Sequence, residues 1–305
     1  ANAVQEVHKS KHSFADFGLE KAIESNIVRA GFTVPTHIQD ETIPHILKGR
    51  DIIGLANTGS GKTAAFALPI IQKLHARKGK EKALIMAPTR ELASQINDEL
   101  IKFAHGMRVY SALCVGGMPI HKQIRELSRS PHVIIGTPGR LKDLVNRKAL
   151  SLDSVTILVL DEFDRMLDMG FIKDIEFLIG KIPKNRQSLC FSATITPDIK
   201  KILEKILIDP IMVSVKTSEK SEHIAQDVIR AGSKEAKFAK LKEMLAHSAF
   251  EKVLIFGEMK RSVQKLADAL SKEGFKAEAI HGNKSQPQRE RALRAFRDGK
   301  VNILV

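Results

Sequence analysis

Ala56-Asn57-Thr58-Gly59-Ser60-Gly61-Lys62-Thr63 stands between an apolar run at 51–56 and a helix-forming stretch at 62–74. A strand that turns sharply into a helix exposes backbone N–H groups at the helix start, where the helix dipole adds partial positive charge. Gly59 and Gly61 allow that turn to close on an anion with no Cβ in the way. Lys62 is then placed to reach the β- and γ-phosphates of a nucleotide, and the Thr63 hydroxyl to ligate its magnesium. Ala56 occupies a position where the strict phosphate-loop pattern has glycine, so the match is a variant one. An ordinary Gly-Ser turn has no need of Lys-Thr at the following helix start.

Moving outward, the runs 83–87, 109–115, 132–136, 156–160 and 187–191 read as strands, and 91–103, 122–128 and 141–145 as helices. Strands that are apolar throughout are buried on both faces, which implies a parallel sheet with helices on either side. Repetition of such units predicts a doubly wound α/β domain over residues 13–208. Residues 1–12 read as a loose basic tail. The stretch 209–223, with Pro210 and a polar run from Lys216 to Glu222, predicts an exposed linker. Alternation then restarts, with strands expected at 228–230, 252–256 and 277–280 and helices at 236–246, 261–271 and 289–296. A further strand begins at 301–305, so the second α/β domain, 224–305, is expected to be truncated.

The length of 305 residues suits two cores, and 43% hydrophobic residues suffice to fill them. A net charge of +14 and a pI near 9.7 create a field that attracts phosphate backbones or anionic membranes. Cys114 and Cys190, the two cysteines, sit in apolar strand-like runs and read as buried reduced thiols. The chain shows no long apolar segment and no signal pattern, so a soluble cytoplasmic protein is expected. With 5% aromatic residues, no tryptophan and the single tyrosine Tyr110, base stacking should not dominate any nucleic-acid contact. Backbone phosphate contacts should, with weak sequence preference and a steep dependence on salt.

A second chemical signal is Asp161-Glu162, which follows Val159-Leu160 at the end of a predicted strand, where ligand sites of parallel sheets open. Asp161 can hold the magnesium, and Glu162 can orient and polarise an attacking water. The competing reading is a pair of carboxylates at the start of a helix near Phe163.

With Asp161-Glu162-Phe163-Asp164 downstream of the phosphate loop, the chain resembles a bacterial-type DEAD-box RNA helicase from about Phe14 to Val305. The resemblance implies two RecA-like domains, with ATP, Mg²⁺ and RNA as ligands. Gly31-Phe32 with Pro35-Thr36-His37-Ile38-Gln39 resembles the adenine-reading motif. By resemblance Gln39 pairs with the adenine edge and Phe32 stacks on its face, with Phe14 as a buttress. An amide that both donates and accepts suits adenine. From the residues alone, Gln39 reads as a helix-start residue and Phe32 as core. Pro88-Thr89-Arg90, Gly116-Gly117 and Thr137-Pro138-Gly139-Arg140 resemble RNA-contacting motifs, as do Gln286 and Arg289 after His281-Gly282-Asn283. Ser192-Ala193-Thr194 resembles the motif that links hydrolysis to strand separation, through hydroxyls bonded to Asp164. Ser and Thr here equally suit a cap for the helix near Pro197.

Three departures stand out. Phe163 replaces the signature alanine, so its ring needs a packed niche. Met259 replaces a small hydroxyl residue in the motif-IV-like run 255–260, with Lys260 or Arg261 as substitutes. The family's next two motifs, with the γ-phosphate arginines, would lie beyond Val305. Such arginines contribute roughly 10³–10⁵ in turnover in related enzymes, so weak hydrolysis is expected of this chain. The resulting expectation is an ATP-dependent RNA helicase that melts short duplexes locally. A clamp that binds RNA under ATP control without unwinding is the alternative, and a DNA translocase a third reading.

Overall fold

In the computed structural model, residues 10–76, 81–215, 225–247 and 250–305 are described. The chain divides into two compact units, Ala1–Glu219 and Lys220–Val305.

The first unit carries strands β1 (Ile52–Leu55), β2 (Lys82–Met86), β3 (Ser111–Cys114), β4 (Val133–Gly136), β5 (Val155–Leu160), β6 (Gln187–Ser192) and β7 (Ile211–Ser214). All pair in parallel, in the order β3-β4-β2-β5-β6-β1-β7. The helices are α1 (Lys21–Arg29), α2 (His37–Leu47), α3 (Lys62–Ala76), α4 (Arg90–Phe103), α5 (Ile120–Leu127), α6 (Pro138–Asn146), α7 (Phe163–Asp168), α8 (Ile172–Ile179) and α9 (Pro197–Ile206). Because side chains alternate across a strand, each apolar run feeds two cores. Ile157 and Val159 enter one with Ile85, Leu189, Phe191 and the α2–α4 residues Ile43, Phe66 and Ile96. Leu158 and Leu160 enter the other with Leu84, Cys190, Leu141, Phe163 and Ile175. The expected doubly wound sheet is thus present. Cys114 and Cys190 are free and buried, and loss of water pushes the Cys114 thiol up to about 12.

Two boundary expectations are corrected. Residues 211–214, assigned to the linker, are the edge strand beside β1. The Asp51 carboxylate accepts from Ser188 N–H and Ile208 N–H, both at 2.8 Å, so one side chain fastens β6 and the entry to β7 together. Arg50 adds an ion pair to Asp209 at 2.7 Å. The rest of the expected linker, 216–223, lies outside the described residues, as do 1–9 of the expected tail. Residues 10–12 are not loose: Lys11 N–H and the His12 ring both bond the Asp40 carboxylate.

The second unit holds α10 (Lys234–Leu245), β8 (Val253–Leu254), α11 (Lys260–Lys272), β9 (Ala277–Glu278), α12 (Gln286–Arg297) and β10 (Ile303–Leu304). Its strands pair in parallel in the order β8-β10-β9, over a core of Val263, Ala267, Leu270, Ala279, Ile303 and Val305. The strand expected at 228–230 is irregular, and Val228 is exposed. Among the described residues no strand pairs with 228–230, and a strand propensity that gains no ladder bonds does not offset its ordering entropy.

Candidate nucleotide site

Apart from the adenine-reading motif, which spans the α1–α2 connection and the head of α2, the motifs of the first unit follow the C-terminal ends of strands, and the strand order sorts them. Neighbours β5, β6 and β1 end in Asp161-Glu162, Ser192-Ala193-Thr194 and the phosphate loop. Neighbours β3, β4 and β2 end in Gly116-Gly117, Thr137-Pro138-Gly139-Arg140 and Pro88-Thr89-Arg90. The two groups therefore lie side by side along one sheet edge, where parallel sheets open to ligands.

The loop hangs from β6 by the Ala56 N–H to the Ser192 carbonyl at 3.0 Å. Gly59 and Gly61 both have positive φ, +84° and +92°, which strains any other residue. Asn57, Thr58 and Gly59 are exposed, whereas the Ser60 hydroxyl is buried with no hydrogen-bond partner. Lys62 is buried and donates to the Ala56 carbonyl at 2.9 Å, and Thr63 follows in the first turn of α3. An unpaired buried hydroxyl and an ammonium folded onto its own loop are donors without an anion, which fits a phosphate chain.

Asp161 is buried at the end of β5, and desolvation pushes its carboxyl up to about 6; Lys62 opposes the shift and Glu162 adds to it. Glu162 has φ +50° and ψ +53°, a left-handed conformation uncommon for any residue that carries a Cβ. Residues held this way concentrate at functional sites. The twist points its carboxylate to the Thr58 hydroxyl at 3.2 Å and to Arg165 at 3.2 Å. The competing reading is met in position only: Glu162 stands at the N-cap of α7, but its side chain makes no cap hydrogen bond. Phe163 finds its niche, fully buried in the second core.

Asp164 is the hub to β6. Its carboxylate accepts from Ala193 N–H at 3.2 Å, Thr194 N–H at 2.9 Å and the Thr194 hydroxyl at 2.9 Å. Burial works against its charge, yet the Thr194 hydroxyl and amide hold the carboxyl below its ordinary range. The Ser192 hydroxyl differs from expectation. It accepts from Asp164 N–H at 3.3 Å and donates to the Thr194 carbonyl at 2.8 Å, so it braces the turn without donating to the carboxylate. The cap of α9 is Thr196, not the motif itself.

Gln39 is fully buried and engaged at both ends. Its oxygen accepts from Thr36 N–H and its nitrogen donates to the Gly61 carbonyl, each at 3.0 Å. The helix-start reading is therefore realised, and Thr36-x-x-Gln39 is a capping box whose spacing was visible in the sequence. Phe32 is half-buried between Phe14 and Phe103, with ring centroids at 6.5 and 5.5 Å. Phe14 is the expected buttress.

On the β3-β4-β2 side, Thr89 caps α4 by accepting from Leu92 N–H at 3.2 Å, beside buried Pro88. A Cβ at Gly116 would meet the Arg90 guanidinium at 3.2 Å, so that glycine makes room for Arg90. Gly117 has φ +77°. Arg140 bonds Gln123 at 3.1 Å and the Met118 carbonyl at 3.3 Å, while Gln123 donates to the Val115 carbonyl at 2.9 Å. Arg140 thus braces the glycine loop from the start of α6, which Thr137 precedes and Gly139 leaves open. Gln123, absent from the sequence reading, is buried polar and recognisable only from this contact.

In the second unit, Lys260 reaches Asn283 at 3.3 Å, and Met259 is exposed at the start of α11. His281 Nδ1 accepts from Asn283 N–H, so its Nε2 carries the hydrogen that goes to Gln264 at 2.9 Å. Gln286 is buried at the head of α12, donating to Glu290 at 3.2 Å, and Arg289 is half-buried one turn on. Among the described residues, no helix is long and apolar enough to cross a membrane.

A parallel sheet with a glycine loop and paired carboxylates on adjacent strand ends defines a RecA-like P-loop domain. The profile described as DEAD/DEAH box helicase matches residues 36–202, and the chain belongs to that family. A second profile, helicase conserved C-terminal domain, matches 236–305. The chain is 43% identical over 292 residues to the ATP-dependent RNA helicase CshA of Listeria monocytogenes, covering 96% of this chain and 56% of that relative. It is 44% identical over 293 residues to CshA of Geobacillus kaustophilus, covering 96% and 63%. The chain thus spans little more than half the length of these curated relatives. Among solved structures, Dbp5 of S. cerevisiae bound to RNA and ADP BeF3 is similar with TM-score 0.83 and 30% identity, covering 96% of this chain and 75% of that one. A DEAD box protein from Methanococcus jannaschii is similar with TM-score 0.64 and 38% identity, covering 96% and 79%.

Proposed function

We propose that this chain is the nucleotide- and RNA-handling part of an ATP-dependent RNA helicase, the activity that the bacterial relatives' names carry. The observation that supports it most is the meeting of Glu162 with the phosphate loop at Thr58, next to the buried Asp161. Phe32 takes the adenine face and Gln39 its edge, giving up or sharing its bonds to Thr36 N–H and the Gly61 carbonyl; the amides of residues 57–63 cradle the phosphates, and Lys62 leaves the Ala56 carbonyl for them. Thr63 and Asp161 are the residues that would hold Mg²⁺, which when bound neutralises phosphate charge. Glu162 polarises the attacking water, its strained backbone keeping the carboxylate aimed at the loop.

RNA lies along the β3-β4-β2 ends, gripped through its phosphates by Thr89, Arg90, the Gly116-Gly117 amides, Thr137 and the amides near Gly139. Arg140 acts from behind, by shaping that loop. In the second unit, taken by itself, Gln286 and Arg289 are the proposed RNA contacts. Asp164 and Thr194 tie the acidic motif to the Ser192-Ala193-Thr194 turn, and through that turn the nucleotide's state is passed on to the grip on RNA and to duplex melting. Titration with Mg–ATP, followed by RNA-stimulated hydrolysis and duplex separation, tests the reading. Absence of Mg-dependent adenine nucleotide binding by the folded chain refutes it, and RNA binding without strand release reduces it to a clamp.

A further inference from the structure

We propose that Asp40 and His12 are positioning residues for base recognition: their contact straps residues 10–17 onto α2 and sets Gln39 and Phe32 relative to each other. The proposal rests on the nucleotide reading above and assigns roles to two residues outside its motifs.

Asp40 follows Gln39 in α2, and its carboxylate is fully buried. A carboxylate removed from water is tolerated only where its oxygens are bonded. Here both are bonded by the N-terminal segment: Lys11 N–H donates to one oxygen at 2.8 Å and His12 Nδ1 to the other at 2.6 Å. Lys11 adds an ion pair to Glu41 at 2.7 Å. The chain then turns at Ser13, which with Asp16 forms a capping box on the 3-10 turn Phe14–Phe17. That turn sets Phe14 edge-on to Phe32, and Phe17 5.7 Å from the His12 ring. Phe32 itself emerges from the positive-φ residue Gly31 and has Phe103 on its other side. The two adenine-facing side chains lie on separate elements, a loop and a helix. The strap joins them: Asp40 and His12 hold the helix side, Phe14 holds the loop side.

None of these contacts involves the phosphate loop directly, so the effect falls on the base and not on the phosphates. Dissociation constants for Mg–ATP, Mg–GTP and Mg–tripolyphosphate on wild type, D40A, H12A and H12N separate the two. H12A is expected to weaken Mg–ATP about tenfold, the size of one hydrogen bond to a charged group. The preference for ATP over GTP falls by the same factor, and tripolyphosphate affinity is unchanged. H12N keeps an N–H donor close to the position of Nδ1 and restores ATP affinity, which a merely structural role does not require. A folded H12A with the wild-type ATP to GTP ratio overturns the proposal, as does an equal loss of ATP and tripolyphosphate. Should D40A fail to fold, H12A and H12N decide alone, because the His12 side chain is 41% exposed. A wild-type chain that binds tripolyphosphate but no ATP in preference to GTP sinks this proposal, whereas one that binds none of the three sinks the nucleotide reading.

Discussion

The Gln39 side-chain nitrogen donates to the Gly61 carbonyl at 3.0 Å, tying the head of α2 to the phosphate loop. One hydrogen bond thus joins the side chain expected at the base to the loop expected at the phosphates. A Cβ at Gly61 would lie 2.5 Å from that nitrogen and 2.8 Å from the Thr36 hydroxyl, at a φ of +92°. G61A is expected to lower Mg–ATP affinity at least tenfold and to destabilise the fold by about 1–3 kcal/mol. Calorimetric titration and urea unfolding measure the two effects; wild-type affinity in G61A would show that the tie is incidental.

Restoring the family's alanine at position 163 should harm this protein. Phe163 is fully buried among the residues of the second core, so F163A removes a ring that its surroundings have grown to fit. The expected loss is about 3–5 kcal/mol, read from the urea midpoint at constant slope. A loss under about 1 kcal/mol would mean that the niche collapses without strain.

Asp161 gives a pH signature in the nucleotide-free chain. Burial lifts its carboxyl to about 6, whereas the unfolded chain ionises near 4. The folded state therefore holds the extra proton between those values, so this stabilising contribution is complete below about pH 4 and lost as pH rises through about 6. The loss is on the order of 3 kcal/mol. D161N cannot ionise and has no such loss. The difference in melting temperature, D161N minus wild type, should grow from pH 4 to 6.5 and then level off. Asp164 has the opposite sign, stabilising above the ordinary carboxylate range and less as pH falls, but it is common to both proteins and cancels. A pH-independent difference would show that Asp161 titrates normally.

Glu162→Gln keeps the shape and the Thr58 contact but removes the charge. Mg–ATP affinity should stay within about threefold while hydrolysis falls by roughly 10²-fold or more, the scale of a general base. The RNA complex formed with ATP should persist correspondingly longer. Unchanged turnover in a folded E162Q assigns the water to another residue.

The apolar runs declared a parallel sheet because uninterrupted apolar strands, buried on both faces, admit little else, and glycine spacing with Lys62-Thr63 marked the phosphate loop. Local chemistry of this kind is written in neighbouring residues. Gln39 as a helix-start residue was equally local, and the structure shows it as the far end of a capping box with Thr36. What neighbours cannot encode is pairing across the chain. Residues 211–214 look like linker until β1 needs an outer partner and Asp51 supplies two hydrogen bonds. Residues 228–230 look like strand, yet among the described residues no strand pairs with them. Arg140 reads as an RNA contact from its motif, and nothing in that motif foretells that its Nη1 bonds Gln123 and the Met118 carbonyl. The sheet order, which seats β6 between β5 and β1, is what brings Thr58, Glu162, Asp164 and Thr194 together. Composition and motif order determined the class of this protein; long-range hydrogen bonding decided which side chains are free to act, since a polar group must find its partner wherever burial leaves it.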